Sequence, residues 1–531
     1  ESSLPSGPTA YANLAAAFAA INAGTHQGTI NVEVCFNSTE TAATVLNSSG
    51  AGSANYTSIS IRPLADGLTI SGPTVTGRGL IELNGADNVT IDGDNPNTAG
   101  TNRNLTIQNT ATNTVTYSQV IRIALATSII TSSNDVTIKN LNLLGNATGR
   151  NISTATSSTA TENLSYGIYA SGGASTVSQT TAPTAISSTS TTIGTGATAN
   201  NLTIQNNFLN SAARGIAIQG SATTVFPGLL IEGNTVGNST AAAADQVYSM
   251  GITAQGSNSA ILRSNTVYVE SYVGASIRAI DFGGISASGS GATFERNKVG
   301  RVYGRSTSGF GSYGINIVSG NNNIVRNNFV YDVNAFLTNS GISTTFGSHG
   351  IRITTGTGHQ ILHNSVNLFG AVLGSTTISM SSALTLVSSA STGMDVRNNI
   401  LVNTQTGAVA GTPVDCIYLP SGATSAMNLT VNNNDYFSNS QLAQQGTTAI
   451  SGFTIAAFDA STTSGATNWR NYTSTLLVAN TNNDNASKKV DPVFVSSTDL
   501  HIQSSSTMES AGANAGVTTD IDGDSRGATP D

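Results

Sequence analysis

The sequence predicts an all-β fold, a right-handed parallel β-helix closed at its N-terminal end by one helix, and three observations predict it. First, an asparagine follows a short apolar strand at eight successive points: Asn207, Asn234, Asn265, Asn297, Asn328, Asn364, Asn399 and Asn434. Their spacings, 27, 31, 32, 31, 36, 35 and 35 residues, mark a solenoid rather than a single globular core. Second, the flanks repeat. Three residues before each asparagine stands an apolar residue (Ile204, Ile231, Leu262, Phe294, Val325, Ile361, Val396, Val431), and two residues after most of them stands another. Third, a second strand seed precedes most of them: RGIAIQG at Arg214, MGITAQG at Met250, YGINIVSG at Tyr313, HGIRITTG at His349. Each turn thus holds at least two short strands joined by Gly, Ser, Thr and Asn corners, and stacking pairs every strand in parallel with its copies.

Taken in order, residues 1–40 form an N-terminal cap. Tyr11, Leu14, Phe18 and Ile21 share one face of the Ala-rich stretch YANLAAAFAAINAG, with Gly24 as a stop, so an amphipathic helix covers the first turn and its unpaired strand edges. Residues 41–440 are the repeats. Within them, 146–200 is dominated by Ser, Thr and Ala around one strand seed, YGIYASGG at Tyr166, and reads as an excursion from the coil. Residues 441–531 supply the last coils and a junction. No linker or composition shift divides the chain, so one long domain is expected. In stacked turns about 4.8 Å apart, the eight asparagines can bond amide to amide as a ladder, leaving no orphan polar groups inside.

Composition fits. Only 9% of residues are charged, against roughly 25% in ordinary soluble domains, and the 55 glycines suit corners. A net charge of -8 without a basic stripe argues against nucleic acid, and no run approaches the roughly 20 apolar residues of a membrane span. A chain opening at Glu1 without Met or signal peptide reads as a processed, exported product. Cys35 and Cys416 lie too far apart in a solenoid to be bridged, so two free, buried thiols are expected.

Candidate chemistry falls in the columns. Two residues before the ladder the series reads Gln205, Glu232, Arg263, Glu295, Arg326, Leu362, Arg397, Asn432, a self-neutralising surface ladder. No paired carboxylates, nor an acidic cluster beside a base, can be assembled from these columns. His349, in SHGIRI, with Arg352 and with Asp281 of RAIDFGG, are the weak catalytic candidates. His359 and His363, four apart on a strand, are about 13 Å from each other and cannot share a metal. Asp520, Asp522 and Asp524 alternate through a Gly-containing loop like the start of a calcium site, so calcium is the one cofactor the sequence suggests. The Asn-x-Ser/Thr triplets follow from composition.

The opening blocks, YANLAAAFAAINAG, EVCFNSTETA, YTSISIRP and GADNVTIDG, resemble exported β-helix proteins of the Bacteroidota. The last block, KVDPVFVSSTDLHIQSSS followed by DIDGDSRGATPD, is similar to the ending of the choice-of-anchor Q family, in which a β-helix precedes an interchangeable surface anchor. That resemblance implies export by the type IX secretion machinery and a sorting domain beyond Asp531. The expectation is a secreted, non-catalytic cell-surface structural or adhesive protein, whose partners are that machinery and surface glycans or neighbouring surface proteins. The alternatives are a polysaccharide lyase or glycoside hydrolase of the same fold, or a carbohydrate-binding scaffold; stacked outward aromatics would favour sugar docking, and acids beside Arg or Lys would favour cleavage.

Overall fold

The computed structural model describes residues 9–112, 114–125, 132–147, 165–172, 183–186, 199–220, 226–240, 245–271, 282–307, 310–338, 340–439, 441–450, 469, 473, 483–527 and 529–530. Most of the 146–200 excursion, and Asp281, lie outside them. Contacts group the chain into two compact units, Glu1–Ile261 and Leu262–Asp531. Each is a parallel β-helix whose turns add one strand to each of three sheets, A, B and C.

In unit 1, sheet A stacks Val89–Asp92, Thr137–Lys139 and Thr203–Gln205, sheet B stacks Leu68–Gly72, Leu105–Asn109 and Leu141–Leu144, and sheet C stacks Gly79–Asn84, Gln119–Leu125 and Tyr166–Gly172. The registers line up identical side-chain classes. Ile91, Ile138, Ile204 and Ile231 form one inward column, and Ile81, Ile121, Ile168 and Ile216 another, all fully buried. Unit 2 repeats this with Phe294, Val325, Ile361, Val396 and Val431 in sheet A, and Val267, Val299, Val330, Val366 and Leu401 in sheet B. Each such side chain is worth about 1.5–3 kcal/mol when buried, so a one-residue slip, which would turn a whole strand inside out, is excluded.

The glycine of the G-I seeds has a steric cause. A Cβ on Gly314 would stand 2.3 Å from Val330 Cγ1 and 2.7 Å from the Gly350 carbonyl; on Gly350 it would meet Val366 Cγ1 at 2.4 Å. Sheet C therefore approaches the valine column of sheet B only where the side chain is missing.

The N-terminal helix spans Leu14–Asn22 and buries Leu14, Ala17, Phe18 and Ile21. Asn13 caps it by accepting from Ala16 N at 2.9 Å. A buried carboxylate from the first turn, Glu40, also accepts from Leu14 N and Ala15 N, each at 2.9 Å, which places an anion at the positive end of the helix. Cys416 is a buried thiol, but Cys35 is exposed, contrary to expectation. It follows Gln27–Val34, the first strand of sheet A, which among the described residues has no earlier turn stacked on it and is largely uncovered along its length.

The asparagine column is a one-way ladder. In unit 1, Asn234 Oδ1 accepts both the backbone N–H and the Nδ2 of Asn207, each at 3.0 Å. In unit 2 the same double bond joins Asn265 to Asn297, Asn297 to Asn328, Asn328 to Asn364, Asn364 to Asn399 and Asn399 to Asn434, at 2.9–3.1 Å. At Asn207, Asn234, Asn297, Asn328, Asn364, Asn399 and Asn434, Nδ2 also reaches the carbonyl of the apolar residue of the previous turn, as from Asn328 to Phe294 O at 2.9 Å. Immediately before the ladder lies a second column, Asn206 and Gly233 in unit 1 and Ser264, Arg296, Asn327, His363, Asn398 and Asn433 in unit 2, all left-handed with φ of 51–65°. This corner turns sheet A into sheet B, and asparagine tolerates it better than most residues.

Residues 483–488 close the last turn. Asn483 Oδ1 accepts from Val431 N at 3.0 Å, Ser487 Oγ accepts from Asn434 N at 3.1 Å, and Trp469 packs edge-on against Tyr436. From Phe494 onward the chain does more than finish the coils: it covers the outer face of sheet B in unit 2. Leu500 and Ile521 pack with Phe329 and Tyr331, flanked by Tyr268, Phe369 and Phe494. The corner asparagines hold this strap. Asn433 Nδ2 donates to Ala511 O (3.3 Å), Asn398 both donates to and accepts from Ala513 (2.8 and 3.0 Å), and Asn327 donates to Thr519 O (2.7 Å) and accepts from Arg526 (3.1 Å). Asp531 lies outside the described residues.

Candidate functional site

Among the described residues of unit 2, one cluster of ionisable groups lies outside the columns counted in the sequence. Strand Thr266–Glu270 pairs with Lys298–Gly304, and that strand with Phe329–Leu337, but the register skips a residue: Tyr268 faces Gly300, while Val269 faces Val302. The extra residue is Arg301, with φ 49°, and the next turn carries Asp332 at the same place with φ 54°. This stacked bulge points both side chains away from the regular alternation. Glu270 then receives two guanidinium groups, Arg301 Nη2 on Oε2 at 2.5 Å and Arg305 Nε on Oε1 at 2.7 Å. Both guanidinium groups lie over the Tyr303 ring, 4.8 and 5.1 Å from its centroid, and Tyr303 Oη donates to Asp332 Oδ1 at 2.8 Å and Oδ2 at 3.0 Å. Glu270 is 3% exposed, whereas Arg301 and Arg305 are 13% and 24% exposed, so the acid is sunk and the cations form the rim.

Burial raises Asp332, the Tyr303 hydrogen bond and then Arg301 pull it down, and the Glu270 charge pushes it up again; the outcome is a net rise. Burial, reinforced by Asp332, likewise pushes the Tyr303 phenol well up. The expectation that the columns yield no acidic pair beside a base did not reach Glu270 and Asp332. It assumed one residue per step of the column, and the bulge breaks that count. The signal was present as the echo TVYVE, VGRVYGR, FVYDV, a Val-Tyr pair with charges that shift by one position.

The sequence-predicted residues are placed elsewhere. His349 and Arg352 both stand in sheet C, on Ser348–Ile353. His349 is 1% exposed, its Nδ1 lies 2.8 Å from Thr385 Oγ1, and Nε2 has no hydrogen-bond partner. Burial, then the Arg352 charge, push it down to about 3, so it is a neutral imidazole. Arg352 Nη1 donates to Asn316 Oδ1 at 3.4 Å. Along the same row His349 is followed by Ser382 and Asp415, and Ser382 Oγ donates to Asp415 Oδ1 at 2.6 Å. Asp415 is fully buried and its carboxyl is driven well up by that burial. Asp281, the third candidate, lies outside the described residues.

His359 and His363 bond to different partners. His359 Nδ1 accepts from Asn323 N at 3.2 Å, and His363 Nε2 lies 2.8 Å from Asn398 Nδ2. The charged column is paired where its strands touch: Gln205 to Glu232 at 3.0 Å in unit 1, and Arg326 to Glu295 at 2.6 Å in unit 2, while Arg397 turns to Asp395 on its own strand. Asp520 Oδ1 accepts from the backbone of Asp522 and Asp524, an Asp-turn, and Asp522 reaches His501 at 2.8 Å. Among the described residues no three His, Cys, Asp or Glu side chains gather as a metal-holding group.

No family model and no curated protein matches the chain. Solved structures do. The Dettilon tailspike protein matches at 13% identity over 83% of this chain and 67% of its own, with a TM-score of 0.35. A PL6-family polysaccharide lyase from Pseudopedobacter saltans matches at 11% identity over 81% and 84%, TM-score 0.30, and DFA-IIIase from Arthrobacter chlorophenolicus A6 at 12% over 76% and 94%, TM-score 0.33. So low an identity fixes no side chain's role.

Proposed function

We propose that the protein is a cell-surface β-helix of the structural or adhesive kind that grips an extracellular glycan without cleaving it. The observation that carries this reading is the Glu270, Arg301, Tyr303, Arg305, Asp332 cluster. Its rim offers two guanidinium edges and a phenol, groups that hydrogen-bond sugar hydroxyls and pair with a uronate carboxylate. Its acids are already engaged: Glu270 has an arginine on each oxygen, and both oxygens of Asp332 face Tyr303. A carboxylate so held is a poor nucleophile or base. The outward aromatics of sheet B, the other natural sugar platform, are covered by the chain's own strap.

Cleavage is the second reading, favoured by one feature. Burial raises Asp332, and a second carboxyl, Glu270, stands in the same cluster, an arrangement in which one acid and one base could be told apart. Incubation with acidic and neutral polysaccharides decides between them. The expected result is retention on an immobilised glycan, weakened about tenfold or more by Arg305→Ala, with no new reducing or unsaturated ends. Product release lost in Asp332→Asn replaces binding by catalysis. The route outward is proposed as type IX secretion, on the resemblance of the C-terminal block; a host lacking that system should retain the folded protein in its envelope, and normal export there refutes the route.

A further inference from the structure

We infer that unit 1 carries a separate binding site for a neutral saccharide, in the cleft beside Asn140 and Asn206. It goes beyond the glycan contact proposed for unit 2 and shares no residue with it. The cleft measures about 400 Å³ and is lined by Asp92, Asp94, Thr101, Lys139 and Gln205 besides the two asparagines. Its floor is a row of sheet A in which Asp92, Lys139 and Gln205 occupy successive turns. Its side is the left-handed corner, where Asn206 Nδ2 donates to Asn140 Oδ1 at 2.8 Å and Asn140 Nδ2 to Asp92 Oδ1 at 2.7 Å. Its wall is the 93–104 loop. That loop is fixed at both ends of the cleft: Asp94 Oδ1 accepts from Asn102 N at 2.7 Å, and Arg103 clamps the Asn206 carbonyl and Oδ1 at 2.7 and 2.8 Å.

The lining selects the ligand class. It contains no aromatic or large aliphatic side chain, so burial of apolar surface cannot drive binding. It mixes acceptors, the carboxylates of Asp92 and Asp94 and the Gln205 amide oxygen, with donors, the Lys139 ammonium and the second N–H of each asparagine amide, as a ring of hydroxyls that both donate and accept requires. Lys139 spends one donor on Asp92 Oδ2 at 3.1 Å, and with two acids, one lysine and Arg103 alongside, the formal charges cancel. A uronate or phosphate therefore finds no surplus of cations here.

Peptide is the other ligand that such corners take in this protein, since Asn327, Asn398 and Asn433 hold the strap backbone. In unit 1 the equivalent amides are bonded along the column and to Arg103, which leaves no outward amide pair to clasp a peptide.

Saturation-transfer NMR and calorimetry on the whole chain, with methyl glycosides of mannose, galactose, glucose and N-acetylglucosamine and their short oligomers, test this. At least one should bind, and Asp94→Asn and Lys139→Met should each weaken it about tenfold or more while the circular-dichroism melt stays at the wild-type value. Arg305→Ala in unit 2 should leave it unchanged, which separates failure of this site from failure of the unit 2 reading. The inference is overturned if no glycoside binds, if binding survives both variants, or if a synthetic peptide of residues 505–527 binds the cleft instead.

Discussion

The left-handed corner is built the same way in both units and finished differently. In unit 1, Asn140 and Asn206 bond to each other, Asn206 also holds Arg103 of the 93–104 loop, 103 residues upstream, and a cleft stays open beside them. In unit 2, Asn327, Asn398 and Asn433 turn their amides outward and hold a segment 78–192 residues downstream. One backbone device therefore serves two ends, because a left-handed asparagine leaves its side chain free once the turn is made. The ladder asparagine next to it has no such freedom. It is committed to its neighbours above and below, in either unit.

That contrast can be broken most severely at the ladder. Asn234→Ala in unit 1 and Asn328→Ala in unit 2 each strand buried donors and carbonyls, and each should cost about 3 kcal/mol in urea unfolding. A loss below about 1 kcal/mol in either would mean that the column is decoration. A smaller, local effect is expected one residue earlier. Asn398→Ala removes both bonds to Ala513 and should expose the strap to protease at a cost of about 1–2 kcal/mol, whereas Asn206→Ala should loosen only the 93–104 loop. Strap cleavage in Asn206→Ala would end the distinction.

Acidity sharpens it further, because the last turn of unit 2 holds two buried acids. Burial pushes Asp435 up to about 7 and Asp484 up to about 6. Each binds its proton more tightly folded than unfolded, so the stability they add is complete below about pH 4 and is lost as the pH rises through 6 and 7. Hydrogen-exchange protection of residues 430–438 and 483–488 should fall between pH 5 and 8. Asp435→Asn with Asp484→Asn should flatten that fall, and protection that rises with pH would contradict the assignment. The smallest effect is reserved for calcium: with Asp520 turned onto its own loop, millimolar calcium should move the Tm by less than about 1 °C. A larger rise, abolished by Asp522→Asn, would place an ion in the strap.

What could be read in the sequence was whatever repeats as a residue type. The strand seeds and the ladder recur with fixed identity, so a parallel β-helix with at least two strands per turn was legible, while the third sheet was not counted; the cap was legible from the apolar face of its helix. The corner was not, because Asn206, Gly233, Ser264, Arg296 and His363 share a backbone angle but no chemistry. The Glu270 and Asp332 cluster escaped for a related reason: Arg301 adds a residue to its strand, and column counting fails at a bulge. Glu40 caps a helix from 26 residues away, and the strap meets Asn327 across 192, distances at which no period or local motif speaks.

The ladder also has an arrow. In unit 2 every acceptor lies one turn later than its donors, from Asn265 through to Asn434, whose own N–H is met by Ser487. A chain that folds as it emerges, N-terminus first, always presents a newest asparagine whose two donors are waiting for a turn not yet made. Each completed turn relieves the one before it and passes the need forward, so assembly behaves like a ratchet with a single unfinished tooth. At Asn434 it is set at rest by Ser487, which takes the backbone N–H, and by Tyr436 Oη, which takes an amide N–H, so these few residues are the latch of the stack in unit 2.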